Sequence, residues 1–253
     1  MHLVIVGGCF PVQHNIPPPD LYHQTLRRQL AAAGVPTDVT VVRYERLATC
    51  LAKVAAVAAA RPIDVLVFHL RTEPLMRLTK LYYKHLDGTG RRRHSLNLPT
   101  WGHLNPEKYD LLTVRPRCPA PAPAPAPGPD TRLRRWLRAL NYRAGAWAGN
   151  RAHGLGLYAR LTDDLAAFCA GAMTHLLVVG PVSRPCSRYE DRLSEQIDAF
   201  FAPHLARQGV AYLRTLGHRA PDGTAWFFPN GVHVSPAGHH RIAALLFGAL
   251  PLK

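Results

Sequence analysis

The sequence predicts an α/β protein, a three-layer α/β/α sandwich around a parallel sheet, and three observations carry that reading. Short, continuous apolar runs recur at both ends of the chain. Several of them close on Gly or Pro, and segments of helical length separate them. Continuous rather than alternating apolar runs mark strands covered on both faces, and helix-length connections imply parallel pairing with right-handed crossovers.

In chain order, the first run is Leu3–Val6, which ends in Gly7-Gly8. After Pro17-Pro18-Pro19, Asp20 is placed to cap a helix to about Ala33, with Tyr22, Leu26, Leu30 and Ala33 on one face and Gly34 as its stop. Val39–Val42 reads as the second strand and Leu47–Ala60 as an Ala-rich helix; Pro62 breaks it before a third strand, Ile63–Phe68. The rhythm returns with a strand at Leu176–Val179, a helix at Tyr189–Gln208 and a strand at Val210–Leu213. Ser235-Pro236 then opens a last helix to about Leu250, with Ser at the N-cap and Pro at the first helical position.

Between the third and fourth strands lies an insertion, about 74–175, too long for a single crossover helix. It contains alternating Pro and Ala from Pro119 to Pro127, so 118–130 is expected to be a flexible, extended segment. Helical stretches at about Pro74–Leu86 and Thr131–Ala144 flank it, and the whole insertion is expected to cap the carboxyl edge of the sheet as a lid. Residues 1–253 are otherwise expected to form one domain, since 253 residues fall within the ordinary range of a single α/β unit.

A hydrophobic share of 47% excludes wholesale disorder. No stretch approaches the ~18 uncharged apolar residues of a membrane span. The N-terminus runs directly into the first strand, without the basic and apolar regions of a signal peptide. The five cysteines, Cys9, Cys50, Cys118, Cys169 and Cys186, are widely spaced and form no C-x-x-C pair. Neither a disulfide framework nor a zinc knuckle follows, and a reducing, cytoplasmic setting is expected. Cys50, Cys118, Cys169 and Cys186 read as packing residues.

The net charge of +15 is concentrated: residues 71–151 hold 16 of the 31 Lys+Arg and five acids. Arg91-Arg92-Arg93 and the Arg132, Arg134, Arg135, Arg138 group dominate, and together they read as a landing zone for an anionic partner. No helix-turn-helix, RNA-binding or zinc-finger signature accompanies them, which argues against nucleic acid as that partner.

In open α/β sheets ligands sit outside the carboxyl ends of the strands. Three segments end there with residue choices that carry chemistry: Gly7-Gly8-Cys9, His69-Leu70-Arg71-Thr72, and the loop from Phe228 to His240, Phe-Pro-Asn-Gly-Val-His-Val-Ser-Pro-Ala-Gly-His-His. That last segment resembles the closing motif of SGNH (GDSL-type) hydrolases, where Asp-x-x-His precedes a Ser-Pro-x-Gly-His-like helix start. The resemblance implies a flavodoxin-like, five-stranded parallel sheet. It makes His233 the general base and puts Asn230 where the family has Asp. Gly7-Gly8-Cys9 stands in place of the opening Gly-Asp-Ser, so Cys9 occupies the nucleophile position.

The two departures match chemically. A serine hydroxyl needs a base whose imidazolium a carboxylate stabilises, whereas a thiol ionises near ~8.5 and needs less help. A neutral amide then suffices to orient the ring, as in Cys-His-Asn proteases. Cys9, His233 and Asn230 are therefore read together as a thiol site.

For the oxyanion the family uses the nucleophile's own N–H, a glycine after the second strand and an asparagine after the third. Here Gly8 precedes the nucleophile, the segment after the second strand offers Ala48 without a glycine, and Arg71, followed by Thr72, stands where Asn is expected. A guanidinium is a permanently charged donor that suits an oxyanion, a carboxylate or a phosphate. His239 and His240 begin a helix and are expected to be exposed; with His218 and His233 they show no metal-ligand spacing, and no metal or cofactor is expected.

The resemblance implies an acyl-transfer enzyme with a thioester on Cys9, which hydrolyses a small-molecule ester or thioester. An acyltransferase that forms an ester or amide from a CoA-type or carrier-protein donor is the variant reading; the basic 71–151 region would receive the acidic carrier or phosphate-bearing donor. A catalytically decayed binding module on the same fold is the alternative.

Overall fold

The computed structural model describes residues 1–8, 10–12, 16–44, 47–72, 75, 136, 151–185, 188–229, 231 and 233–251. Among these, five strands form an all-parallel sheet in the order β2-β1-β3-β4-β5: β1 His2–Gly7, β2 Asp38–Arg43, β3 Val65–His69, β4 His175–Val179 and β5 Ala211–Leu213. This is the flavodoxin-like order, in which the winding reverses between β1 and β3 and leaves a crevice at their carboxyl ends.

The strands are apolar throughout because both faces are covered. Val4, Val6, Val42, Leu66, Phe68 and Val178 point into one core, against α2 (Leu47–Ala60), α3 (Arg151–Gly171) and α4 (Arg188–Arg207). Leu3, Ile5, Val65, Val67, Leu177 and Val179 point into the other, against α1 (Tyr22–Ala32) and α5 (Pro236–Ala249). Alternate residues of one strand thus feed opposite layers. No helix among the described residues is long and apolar enough to cross a membrane.

The expected elements at both ends of the chain form close to their expected limits. Gly34 ends α1 with φ +79°, and the Val35 N–H reaches the Leu30 carbonyl at 2.8 Å. Ser235 caps α5, its hydroxyl accepting the Gly238 N–H at 3.3 Å, with Pro236 at the first helical position.

Two readings change. Asp20 does not cap α1. It lies in a 3-10 turn, Pro18–Asp20, and the helix is entered through Leu21 without a side-chain cap, because the three prolines already set the backbone for that turn. The other change concerns 151–171, placed by sequence inside the insertion. These residues form α3, a 21-residue crossover helix whose Tyr158, Leu161, Leu165 and Cys169 lie in the core. The proposed lid helices, apart from Leu75 and Trp136, and the Pro/Ala segment 118–130 lie outside the described residues.

The loop that leads to α5 folds as a small hairpin. Phe227 and Val234 bridge antiparallel, the Ser235 N–H bonds the Trp226 carbonyl at 2.9 Å, and the Phe228 N–H bonds the His233 carbonyl at 2.9 Å. Gly238 is what lets this hairpin sit on the helix, since a Cβ there would collide with the Trp226 carbonyl and the Val234 side chain. Gly238→Ala is expected to cost about 1–3 kcal/mol. A lowered midpoint in urea unfolding checks it, whereas an unchanged midpoint would mean that the hairpin is not seated there.

Candidate functional site

The crevice between β1 and β3 brings together three of the residues that sequence singled out, Gly8, Arg71 and Thr72. Gly8 follows β1, His69-Leu70-Arg71-Thr72 closes β3, and Gly180-Pro181-Val182 with Arg184 follows β4; all of these, with Phe10, line one cleft. Arg71 and Gly8 are in direct apposition: a Cβ on Gly8 would fall within the Arg71 guanidinium. Position 8 is therefore glycine because a cation lies against its backbone.

Arg71 is fixed from several sides. Its Nη1 donates to the Tyr44 carbonyl at 2.6 Å, and its guanidinium stacks 5.2 Å from the Tyr44 ring centre. Its backbone N–H donates to the Tyr158 hydroxyl at 2.9 Å. Tyr44 donates its hydroxyl proton to the His69 carbonyl at 2.9 Å, so the 2.5 Å contact between the two phenols must be Tyr158 donating to Tyr44. The order of donation is Arg71 N–H, Tyr158 O–H, Tyr44 O–H, His69 C=O. Burial and the neighbouring Tyr158 oxygen push the Tyr44 phenol well above its ordinary range, Arg71 pulling the other way, so it remains a neutral donor. Sequence reasoning missed this network; Tyr158, Leu161 and Leu165 do follow helical spacing, which was the available signal.

Thr72 is buried and donates its hydroxyl to Glu190 Oε1 at 3.2 Å. The same oxygen lies 3.5 Å from Arg184 Nε, and the Arg184 backbone N–H donates to Asp191 Oδ1 at 2.8 Å. Ala48 stands on the exposed side of the first turn of α2. His233 is half-buried in the hairpin. Cys9 and Asn230 lie outside the described residues.

Beneath the cleft is an aromatic cluster that joins the two ends of the chain. Phe10 stacks on Tyr22 and on His239, 4.9 Å between ring centres in each case. His239 Nδ1 accepts the Tyr22 backbone N–H at 3.2 Å, and the Tyr22 hydroxyl meets His69 Nε2 at 2.8 Å. His239 is therefore fully buried, not exposed as its place at a helix start suggested; the stack with Phe10 covers it. His240 remains half-exposed, 4.0 Å from Asp20.

Burial drives these imidazoles toward the neutral form. His69 falls to about 3, through desolvation and then the nearby Arg71 cation; His239 falls to about 3, through desolvation and its histidine neighbours; His23 falls to about 4, through desolvation and Arg27. Burial also pushes the Cys50 thiol up to about 12 and the Cys169 thiol up to about 11, which keeps both as inert packing residues.

With the fold and cleft described, the class they define is an open, doubly wound α/β domain with its cleft at the switch point. The sequence matches no protein-family model and no curated protein. Solved structures that it resembles include a G-D-S-L family protein and acetylxylan esterases. One is a G-D-S-L family protein from Desulfitobacterium hafniense DCB-2, with a TM-score of 0.54, 6% identity, and coverage of 98% of this chain and 99% of that one. Another is TesA, with a TM-score of 0.52, 13% identity, and coverage of 99% and 98%. A third is Axe2, an acetylxylan esterase from Geobacillus stearothermophilus, with a TM-score of 0.54, 11% identity, and coverage of 100% and 94%. At such identities the likeness is one of fold.

Two outcomes are expected. A group whose folded pKa is depressed leaves the unfolded chain binding more protons, so stability is complete above the unfolded value near 6.5 and declines as pH falls toward 4. Urea midpoints at pH 7.5, 6 and 5 should fall in that order, with proton uptake on unfolding approaching three from these histidines. A flat midpoint would contradict neutral burial. Tyr158→Phe should cost about 1–3 kcal/mol, because the Arg71 N–H loses its acceptor and the Tyr44 oxygen its donor. A midpoint equal to wild type would show that the network is unimportant.

Proposed function

We propose that this chain is an acyl-transfer enzyme that carries the acyl group as a thioester on Cys9, with His233 as its base and Asn230 orienting the imidazole. The observation that carries the reading is the Phe10–His239 stack. It ties the residue after Cys9 to the helix that the His233 hairpin opens, at 4.9 Å between rings. The GDSL-type fold neighbours, among them an acetylxylan esterase, support ester chemistry. The matched replacement of Ser by Cys and of Asp by Asn supports a thiol rather than a decayed site.

In this reading the Cys9 thiol gives its proton to His233 and the sulfur attacks the substrate carbonyl carbon. The tetrahedral oxyanion is met by the Cys9 N–H, by Arg71 lying against Gly8 and by the Thr72 side of the cleft. The Ala48 N–H, in the first turn of α2 where backbone donors lack an intrahelical acceptor, is a further donor. The carbonyl–leaving-group bond then breaks, and the imidazolium returns its proton to the departing oxygen or sulfur. Water attacks the thioester, its proton passes to His233, and the carboxylic acid leaves as the thiol re-forms.

An amine or alcohol in the place of water gives the transferase variant. Its donor would carry CoA-type phosphates or an acidic carrier protein, received by the basic 71–151 stretch. A thiol nucleophile suits the reducing, cytoplasmic setting expected from the cysteine pattern.

Incubation with p-nitrophenyl acetate followed by peptide mass spectrometry tests the assignment. One acetyl group on Cys9 is expected, with hydrolysis abolished in Cys9→Ala and reduced at least 100-fold in His233→Gln. Activity that survives Cys9→Ala, with label elsewhere, would discard the thioester. Iodoacetamide labelling of Cys9 with a midpoint near ~8.5 and no dependence on His233 would favour the binding module.

A further inference from the structure

We propose that His69 is a substrate-binding residue: its Nδ1–H, fixed as a donor by the Tyr22 hydroxyl, holds the carbonyl oxygen of the acyl group that enters the cleft. The inference rests on the acyl-transfer reading for the identity of that oxygen, and on His69 and Tyr22 alone for the donor.

His69 closes β3, and the residues before it on the same face, Val65 and Val67, belong to the core. An imidazole in that place is desolvated at a cost that an apolar side chain avoids, so its polar atoms need partners. Nε2 has one, the Tyr22 hydroxyl at 2.8 Å. Tyr22 is fully buried, and burial raises its phenol well above the ordinary range, so the oxygen keeps its proton. Among the described residues that hydroxyl bonds to nothing else. It therefore donates to Nε2, because the reverse direction would bury a phenol proton without an acceptor. His69 is itself neutral, held down to about 3 by desolvation and then by the Arg71 cation. A neutral imidazole has one N–H, and with Nε2 accepting, that proton sits on Nδ1.

The direction of Nδ1 follows from the other contacts of the ring. A Cβ at Gly7 would meet the ring at Cδ2, 3.6 Å away, so that edge is turned toward β1. Nδ1 lies across the ring from Cδ2, on the side of β4, the other neighbour of β3. The loop after β4, Gly180-Pro181-Val182, walls the cleft that His69 also lines. Gly8 and Phe10, the described neighbours of Cys9, line it too, and the Phe10 ring packs edge-on to His69 at 5.8 Å between centres. An acyl group bound for Cys9 thus passes this donor. A neutral N–H in a site with little water polarises a carbonyl and binds it more tightly as charge develops on the oxygen. The bland alternative is a structural pair in which His69 only ties α1 to β3 through Tyr22.

Two replacements separate these. Asn carries an amide N–H close to the place of Nδ1 but stops short of Tyr22, whereas Gln reaches Tyr22 and leaves the Nδ1 position bare. In His69→Leu, hydrolysis of p-nitrophenyl acetate should fall about 100-fold, in kcat rather than in KM. His69→Asn should recover about ten-fold of that loss and His69→Gln none. The reverse order, with Gln active and Asn not, means that the tie to Tyr22 is all that matters and overturns the proposal. So does a wild-type rate in His69→Leu.

The tautomer is read without reference to activity, in proton–nitrogen NMR spectra of the full wild-type chain. A proton on Nδ1 with Nε2 bare is expected, giving way to a mixture in Tyr22→Phe. A proton on Nε2 in the wild type overturns the proposal whatever the variants do. If the wild type turns over no ester, the acyl-transfer reading has failed, and acetamide, an uncharged carbonyl compound, decides the site on its own. A saturable shift of the Nδ1–H resonance on titration upholds a carbonyl site at His69. No shift overturns it.

Discussion

The register of β1 decides where the rest of the molecule can be. Its residues are apolar on both faces, so a one-residue slip would exchange Leu3 and Ile5 for Val4 and Val6 at little hydrophobic cost. What forbids the slip is polar and lies at the strand's foot. The His2 N–H donates to Asp64 Oδ2 at 2.5 Å, its Nδ1 meets the Pro62 carbonyl at 2.8 Å, and its Nε2 meets Thr40 Oγ1 at 3.0 Å. One buried histidine thus pins β1 to the strand on one side and to the entrance of the strand on the other. At the opposite end the fit is again specific, because a Cβ at Gly7 would crowd the Pro11 ring. Anchored at both ends, β1 places Gly8 opposite the end of β3.

That placement would position only backbone if the side chains above it were free to turn. Arg71 is the point at which the two layers of the sandwich act together. Its guanidinium is steered by Tyr44 at the end of β2, and its N–H is held by Tyr158 from α3. From the other layer, Tyr22 of α1 holds the ring of His69, two residues earlier. The cleft is therefore held from both faces of the sheet. A cation against Gly8 reflects the packing of two helices and the end of β2 as much as the choice of residue after β3.

How far this could be read from sequence follows from the kind of interaction involved. The strands were legible because double burial forces continuous apolar runs, and α5 was legible because Ser235-Pro236 is a local capping signal. Arg71 could be placed by counting from the third strand. In contrast, α3 was obscured by Gly154 and Gly156 in its first turns and by the Pro/Ala run before it, although its Tyr158-Leu161-Leu165 stripe is intact. Burial of His239 depends on Phe10 and Tyr22, more than two hundred residues away, and no local pattern encodes such a stack. Arg184 and Glu190 belong to the same class, joined to the cleft only once β4 lies beside β3.

The electrostatics of the site then follow from which cations can titrate. His69 lies beside Arg71 and would add a second positive charge on protonation; desolvation and that same arginine hold it neutral down to about 3. His239, one stacked ring beyond Phe10, is held neutral to about 3 as well. The positive charge of Arg71 against Gly8 is therefore guanidinium charge, constant across the pH range near neutrality. A fixed cation favours anionic groups that come beside it. It does so without a pH response of its own. Any ionisation seen near neutrality would then belong to groups other than the buried His69, His239 and His23.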